Sequence, residues 1–364
     1  MTSHTTYMSR ALQLAERGLF TTDPNPRVGC VIVKNNQIVG EGWHQRAGEG
    51  HAEVNAIKEA GLKAKDADCY VTLEPCSHYG RTPPCADALI NAGVKRVFIA
   101  MTDPNPRVAG SGIAKLKAAG IEVTVGILEQ QAENLNIGFC KRMRIGRPYV
   151  RSKMAMSIDG RTAMASGESK WITGPAARQD VQKLRARSSA ILTGIGTVLA
   201  DDPALSVRPE GWYPQQIIRQ PLRVVVDSQL RIPVDAKIFQ DNAQVLIATS
   251  GAVNMMLPAE VCNLPSNNNQ VDLSALMTEL AKREINEVMV EAGSQLNGAL
   301  LQSGLIDELV IYMAPKIMGD GANGLFHLPD FTTMAQNIDL QITDIRAVGP
   351  DWRITALPQY NEGN

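Results

Sequence analysis

Apolar positions at Met8, Leu12, Ala15 and Leu19 recur with the 3.6-residue period of a helix, predicted over Tyr7 to Leu19 and stopped by Gly18 or just after. The pattern then switches. Val28 to Val33 and Ile38 to Trp43 read as two strands around Lys34-Asn35-Asn36-Gln37, a hairpin. A helix from His51 to about Ala60 follows, with Gly61 as its stop. Cys69 to Leu73 is a strand; Pro83-Pro84-Cys85 opens a helix through Asn91, where proline fits because its missing N–H is not needed. Lys95 to Met101, Ser111 to Ala119 and Ile121 to Val125 read as strand, helix and strand. Such alternation predicts a three-layer α/β/α sheet.

Lys141-Arg142-Met143-Arg144 and Gly146-Arg147-Pro148 read as a solvated linker, so the expected domains are residues 1–147 and 148–364. From Tyr149 the alternation restarts: a strand to Met156, loops at Ile158-Asp159-Gly160 and Ser166-Gly167-Glu168-Ser169, and a helix from Pro175 to Ala186. Ala190 to Thr193 is a short strand that delivers Gly194-Ile195-Gly196-Thr197 to another helix start. Leu222 to Asp227 and Gln244 to Thr249 are near-continuous apolar runs, as in strands buried on both faces. Leu257 to Gln270, rich in Asn and Pro, reads as loop. Leu273 to Arg283 is a helix, Glu287 to Val290 a strand and Gly293 to Gln302 a helix; Leu305 to Met313 and Asp339 to Leu357 supply closing antiparallel strands. The second half is α/β as well.

Composition narrows the picture. The chain has 364 residues, 44% hydrophobic and 20% charged, with a formal net charge of -1. That length predicts two domains and an ordinary globular protein. The charge balance speaks against nucleic acid or anionic membrane as a partner. No apolar run approaches the ~18 residues of a membrane span. The start, Met1-Thr2-Ser3-His4, lacks the basic and apolar regions of a secretory signal. Six cysteines without such a signal do not suggest a disulfide framework, and Cys30, Cys69, Cys140 and Cys262 read as buried small hydrophobes. A cytoplasmic location is expected.

Chemistry concentrates between residues 51 and 85. His51-Ala52-Glu53, then Pro75-Cys76, then Cys85 supply an imidazole and two thiols, with a carboxylate two residues from the imidazole. Three such ligands suit a catalytic zinc with one open position, and Glu53 is left to move protons. His-x-Glu followed by Pro-Cys and a second Cys is the signature of zinc-dependent base deaminases. Eight residues separate the thiols here, in place of the usual two. A closed structural site is the alternative, with His44 or His78 as fourth ligand, and it leaves Glu53 without a task. Elsewhere, Asp23-Pro24-Asn25-Pro26-Arg27-Val28 recurs letter for letter as Asp103-Pro104-Asn105-Pro106-Arg107-Val108. The two prolines make each a stiff turn that presents one Asn.

The run Pro24-Asn25-Pro26-Arg27-Val28-Gly29-Cys30, with His51-Ala52-Glu53, Thr72-Leu73-Glu74-Pro75-Cys76-Ser77-His78 and Thr82-Pro83-Pro84-Cys85, resembles the bifunctional riboflavin-biosynthesis deaminase/reductase family. Ser157-Ile158-Asp159-Gly160-Arg161, Trp171-Ile172-Thr173, Gly196-Thr197-Val198-Leu199-Ala200-Asp201-Asp202-Pro203 and Val290-Glu291-Ala292-Gly293 look like its reductase half. The resemblance implies a cytidine-deaminase-like domain followed by one like dihydrofolate reductase. It implies that 2,5-diamino-6-(5-phosphoribosylamino)pyrimidin-4(3H)-one loses its 2-amino group, and that NADPH then reduces the ribosyl group to ribityl. Carried over, zinc falls on His51, Cys76 and Cys85, proton transfer on Glu53, and substrate contacts on Asn25, His44, Arg81, Asp103 and Asn105. NADP contacts fall on Ala155, Trp171, Thr197, Asp201, Ser228 and the run Gly293, Ser294, Gln295, Leu296, Asn297, Gly298 and Ala299. Lys153, Ser169, Arg185, Leu205, Arg208 and Glu291 fall on the reductase substrate. The physical support is strongest at Gly293, where a strand passes into a helix start whose free N–H groups suit a phosphate.

Two rival readings share the metal motif. A nucleic-acid base deaminase requires a basic groove with interleaved aromatics, which a charge of -1 and 5% aromatic residues disfavour. A non-catalytic zinc or nucleotide-binding protein has no chemical need for Glu53. The expected partners are small phosphoribosylaminopyrimidines, not nucleic acid or membrane, with assembly as a homo-oligomer.

Overall fold

The computed structural model describes residues 3–78, 83–106, 108–209, 218–241, 243–251 and 256–360. Two compact units divide it, Met1–Arg147 and Pro148–Asn364.

The first unit runs α1 (His4–Glu16), β1 (Gly29–Lys34), β2 (Gln37–Trp43), α2 (Ala52–Ala60), β3 (Asp68–Leu73) and α3 (Cys85–Asn91). It continues with β4 (Arg96–Met101), α4 (Ser111–Ala118), β5 (Glu122–Val125), α5 (Glu129–Leu135) and α6 (Ile137–Ile145). The five strands form one sheet in the order β2-β1-β3-β4-β5. β1 is antiparallel to β2 and β3, while β3, β4 and β5 run parallel. Cys-Val-Ile-Val in β1 is wholly buried, as a strand paired on both edges and covered on both faces must be. Glycines set how closely the helices approach. A Cβ at Gly29 would lie 2.0 Å from the Ala11 carbonyl of α1, and one at Gly42 would lie 2.3 Å from the Ala52 carbonyl of α2. Gly29 pairs with Trp43 and Cys30 with Gly42. The two glycines therefore face opposite ways, and α1 and α2 cover opposite faces of the sheet. This is the expected α/β/α sandwich.

The second unit comprises β6 (Tyr149–Ser157), β7 (Arg161–Ala163), α7 (Pro175–Arg187), β8 (Ala190–Gly194), α8 (Ile195–Asp201), β9 (Leu222–Val226), β10 (Val245–Thr249) and β11 (Glu260–Asn263). After β12 (Ser266–Asn267) and β13 (Gln270–Val271) come α9 (Leu273–Lys282), β14 (Glu287–Val290), α10 (Ser294–Gln302), β15 (Glu308–Ala314), β16 (Asn323–Gly324), β17 (Asp339–Val348) and β18 (Asp351–Gln359). Nine of these strands form a sheet ordered β11-β10-β9-β8-β14-β6-β15-β18-β17. It is parallel from β11 to β15 and antiparallel at β18 and β17. Val288 and Val290 enter a core with side chains of α9 and α10, whereas Met289 between them packs with α7, so helices cover both faces.

Three sequence expectations need correction. The supposed linker near residues 138–148 contains helix α6, with Phe139 and Cys140 buried and the basic residues turned outward. A helical period hidden among cations looked like a charge run. Leu257 to Gln270 is not all loop: β11 extends the parallel sheet, and β12 and β13 form a hairpin. Asn268 and Asn269 take φ of 51° and 60°, the left-handed pair that a tight hairpin turn requires. His51 is the N-cap of α2 and stands just before its first turn, not within it.

Candidate active sites

The approach of α2 to β2 puts the helix N-terminus beside the end of β3, where Cys76 follows. α3 begins at Cys85, after Pro84. His51 Nδ1 lies 3.1 Å from Cys85 Sγ and 3.6 Å from Cys76 Sγ. The three ligand atoms all fall within 4.8 Å of one another. A tetrahedral zinc places neighbouring nitrogen and sulfur ligands ~3.5 Å apart, so this donor set fits it. The Cys85 backbone N–H points at Cys76 Sγ at 3.3 Å. Hydrogen bonds from Cys85 and His51 outweigh burial and draw the Cys76 pKa below the ordinary thiol range, while Cys85 is pushed up by the same sulfur contact. Glu53, in the first turn of α2, is 3% exposed. Burial raises its pKa to about 7 against opposing contributions from its own backbone N–H and His51. A carboxyl poised there exchanges protons readily near neutral pH.

Two walls flank this cluster. Asn25 Nδ2 lies 3.0 Å from His44 Nε2, and His44 Nδ1 faces the Gly50 carbonyl at 3.3 Å. The carbonyl fixes the proton on Nδ1, leaving Nε2 to accept from Asn25. Burial lowers the His44 pKa and keeps the ring neutral. Its ring meets that of His51 edge-on, with centroids 5.3 Å apart. On the other wall, Asp103 is half-buried, and burial raises its pKa, as do Glu74 and Cys76. Asp103 accepts the Asn105 N–H at 2.8 Å. The structure thus gathers Asn25, His44 and Asp103 near the metal ligands, with Asn105 bonded to Asp103. Arg81 lies outside the described residues.

Sequence reasoning missed what holds these walls. Asn136, 1% exposed, accepts the Arg27 N–H at 2.8 Å and donates to the Arg27 carbonyl at 2.9 Å, which clamps the first Asp-Pro-Asn-Pro turn. Glu74, 3% exposed, accepts the Asp103 N–H at 3.1 Å. Glu74 stands within the Thr72-Leu73-Glu74-Pro75-Cys76 run, where it reads only as a carboxylate at the end of an apolar strand.

In the second unit the named residues cluster at the carboxyl ends of adjacent parallel strands. Lys153 and Ala155 lie on β6, Thr197 just beyond β8, Ser228 beyond β9, and Glu291 and Gly293 beyond β14. That edge is where open α/β sheets bind ligands. Arg185 grips Glu291 in a two-pronged ion pair at 2.5 and 2.9 Å and also donates to the Ser206 carbonyl at 2.9 Å. Burial raises the Glu291 pKa, but Arg185, Lys153 and Arg208 more than offset it, and the carboxylate stays ionised. Burial pushes Lys153 down, partly opposed by Glu291. Trp171 is exposed, with the Arg178 guanidinium 4.8 Å over its ring, and the neighbouring Lys170 lies 3.6 Å from Asp201. Ser169 is a half-buried residue of the same loop. Ser228 accepts the Val271 N–H.

Some named side chains are already occupied. Leu205 is buried in an apolar cluster with Ile191, Ile195 and Val225. Asn297 accepts from Ser152 at 2.7 Å and donates to the Ala292 carbonyl at 2.8 Å. Gly298 is explained by packing, since a Cβ there would stand 2.0 Å from the His327 carbonyl. Gly293 has open space where its Cβ would be.

Both units have counterparts among known proteins. A family model for the RibD C-terminal domain matches residues 148–354, and one for the cytidine and deoxycytidylate deaminase zinc-binding region matches residues 1–101. The riboflavin biosynthesis protein RibD of Escherichia coli (strain K12) is 56% identical over 354 residues, covering 95% of this chain and 96% of that one. The structure of Acinetobacter baumannii RibD (form 1) superposes with a TM-score of 0.92 at 48% identity, over 98% of this chain and 99% of that one. A diaminohydroxyphosphoribosylaminopyrimidine deaminase/5-amino-6-(5-phosphoribosylamino)uracil reductase from Thermotoga maritima matches with a TM-score of 0.87 at 33% identity, over 98% of each chain. With both halves matched in order along one chain, it belongs to the RibD family of riboflavin-biosynthesis enzymes, which join a zinc-dependent deaminase to a reductase.

Proposed function

We propose that residues 1–147 deaminate 2,5-diamino-6-(5-phosphoribosylamino)pyrimidin-4(3H)-one and residues 148–364 use NADPH to reduce the resulting 5-amino-6-(5-phosphoribosylamino)uracil to its ribityl form. The observation that carries this is the convergence of His51, Cys76 and Cys85 beside the buried carboxyl of Glu53. Those three residues hold zinc, which when bound acts as a Lewis acid that makes water acidic near neutral pH. Glu53 takes the proton from the attacking water and passes it to the ring nitrogen and the departing ammonia. Asn25 and His44 on one side, and Asp103 and Asn105 on the other, orient the pyrimidine; Arg81 is assigned to substrate with them. In the reductase half Ala155, Trp171, Thr197, Asp201, Ser228 and residues 293–299 form the cofactor surface. Lys153, Ser169, Arg185, Leu205, Arg208 and Glu291 form the substrate surface, with Leu205 and Asn297 contributing backbone because their side chains are engaged elsewhere.

The test supplies purified protein with the diaminopyrimidine, with and without NADPH. Ammonia release is expected in both cases, and NADPH oxidation only after deamination. A zinc chelator should stop ammonia release yet spare NADPH oxidation on supplied uracil compound. NADPH oxidation on the diamino compound by chelated protein would overturn the order of steps.

We also assign the protein to the cytoplasm and to a homo-oligomer. Six free cysteines suit a reducing compartment. Among the described residues, no helix is long and apolar enough to cross a membrane. β17 is an edge strand whose Leu340, Ile342 and Ile345 share one exposed face through pairing with Pro358, Ala356 and Ile354. A long antiparallel edge is self-complementary about a two-fold axis, which favours a second copy as its cover. Light scattering on wild type and Ile345→Lys decides it: a wild-type monomer, or an assembly that the lysine leaves intact, removes this face from the interface.

A further inference from the structure

The second rigid turn is tied down by a residue that no ligand assignment uses. Glu74 lies two positions before Cys76, and four backbone N–H groups converge on its buried carboxylate. Asp103 and Gly110 donate to Oε2 at 3.1 and 3.0 Å; Gly112 and Ile113 donate to Oε1 at 2.9 and 3.2 Å. Gly112 and Ile113 belong to the first turn of α4, whose N–H groups have no partner within the helix. The carboxylate caps α4 from outside, where the helix dipole favours negative charge. Steric fit reinforces the polar contact. A Cβ at Gly112 would stand 2.0 Å from the Pro75 carbonyl, so only glycine allows α4 to sit this close. Ser77, next to Cys76, meets Ser111 at 2.7 Å. The order then passes to the turn, where Asp103 accepts the Asn105 N–H and the Asn105 carbonyl accepts from Val108 and Ala109.

We infer that Glu74 is a positioning residue of the deamination: it locks the wall of residues 103–106 and 108–113 onto the turn that carries Cys76. Asp103 and Asn105 are thereby held at a set place relative to the metal ligands. This rests on reading those two residues as substrate contacts. A helix cap alone would stabilise the unit without touching substrate affinity. Because one carboxylate holds both α4 and Asp103, loosening it shifts a substrate wall while sparing the metal ligands and the reductase half.

Full-length Glu74→Gln tests the idea, since its amide turns an NH2 toward two of the N–H donors. Zinc content and NADPH oxidation on the uracil compound should match wild type. Hydrogen exchange should quicken over residues 102–114. Deaminase KM should rise about tenfold, with a smaller change in kcat, the scale expected for loss of one or two charge-assisted hydrogen bonds. Gly112→Ala keeps the carboxylate but blocks the docking, and should raise KM in the same way. A lower melting temperature with wild-type KM in Glu74→Gln would show a cap and nothing more, and overturns the inference. If that variant is insoluble, Glu74→Asp, one methylene shorter, takes its place and is judged by the same two outcomes. Asn105→Ala separates the two levels. An unchanged KM there sinks the wall reading and this inference with it; a raised KM there, beside an unchanged one in Glu74→Gln, sinks only the role of Glu74.

Discussion

The two units solve their chemistry in opposite ways. In the first, the proposed reactive groups are three ligand atoms within 4.8 Å and one buried carboxyl, all from residues 51 to 85. In the second, the residues assigned under the proposed function are spread from Lys153 to Ala299. Adjacent parallel strands bring Lys153, Ala155, Ser228, Glu291 and Gly293 to one edge, where Arg185 pairs with Glu291. A site made of scarce ligand chemistry is sensitive to one atom. A site made by topology is sensitive to the framework. Substitutions should therefore separate the units by kind of damage as well as by location.

The largest effect is expected at Glu53. Glu53→Gln keeps the shape and the burial but cannot take a proton. Deaminase kcat should fall about a thousandfold, within the range for general acid–base groups. Zinc content should stay at the wild-type level, and NADPH oxidation on the uracil compound should be unaltered. A loss of metal together with activity would instead make Glu53 a structural support of the cluster.

An intermediate effect belongs to the framework of the second unit. Glu291→Gln leaves Arg185 buried with no charge partner, which costs roughly 3 kcal/mol. For a unit of this size that corresponds to a drop in melting temperature of roughly 6–12 °C. The folded-state pKa of Glu291 is depressed, so the stabilisation is present at neutral pH and lost as pH falls through the carboxylate range. The double variant Arg185→Met/Glu291→Leu removes both charges and should recover most of the melting temperature while reductase activity stays low. Recovery of activity with stability would mean that the pair only holds the fold.

The same contrast explains what the sequence made legible. His51, Cys76 and Cys85 stand out because few residue types bind zinc and their spacing is short. The α/β layers were readable from strand periodicity, which needs only neighbours in the chain. Helix α6 was hidden because its three cations, Lys141, Arg142 and Arg144, outnumber the two buried side chains that anchor it, Phe139 and Cys140. Asn136 and Glu74 were hidden for a different reason. Each holds an Asp-Pro-Asn-Pro turn by bonding to backbone groups far along the chain, and no local pattern announces such a partner. The two turns are identical in sequence and are held by an amide in one case and a carboxylate in the other. In the reductase half, nothing local in the sequence signals that Arg185 pairs with Glu291, 106 residues away. Family resemblance supplied what periodicity could not.

The smallest effect tests how far the glycine-bearing run at residues 293–299 is a cofactor cradle. Gly293 is the N-cap of α10, with φ -74° and open space where a Cβ would stand. Gly298 is pressed against the His327 backbone. If both glycines served packing, alanine at either would act through stability alone. If the helix N-terminus receives a phosphate of NADPH, the two must part. Gly298→Ala should cost about 1–3 kcal/mol by overpacking, seen as a lower melting temperature. Gly293→Ala should cost less than about 1 kcal/mol, because its backbone is one that any residue adopts. It should nevertheless raise the KM for NADPH several-fold by keeping the phosphate from the free N–H groups. Ammonia release should be the same in both variants. Wild-type affinity for NADPH in Gly293→Ala would leave the start of α10 as a tight turn and move the phosphate site to the ends of β8 and β9.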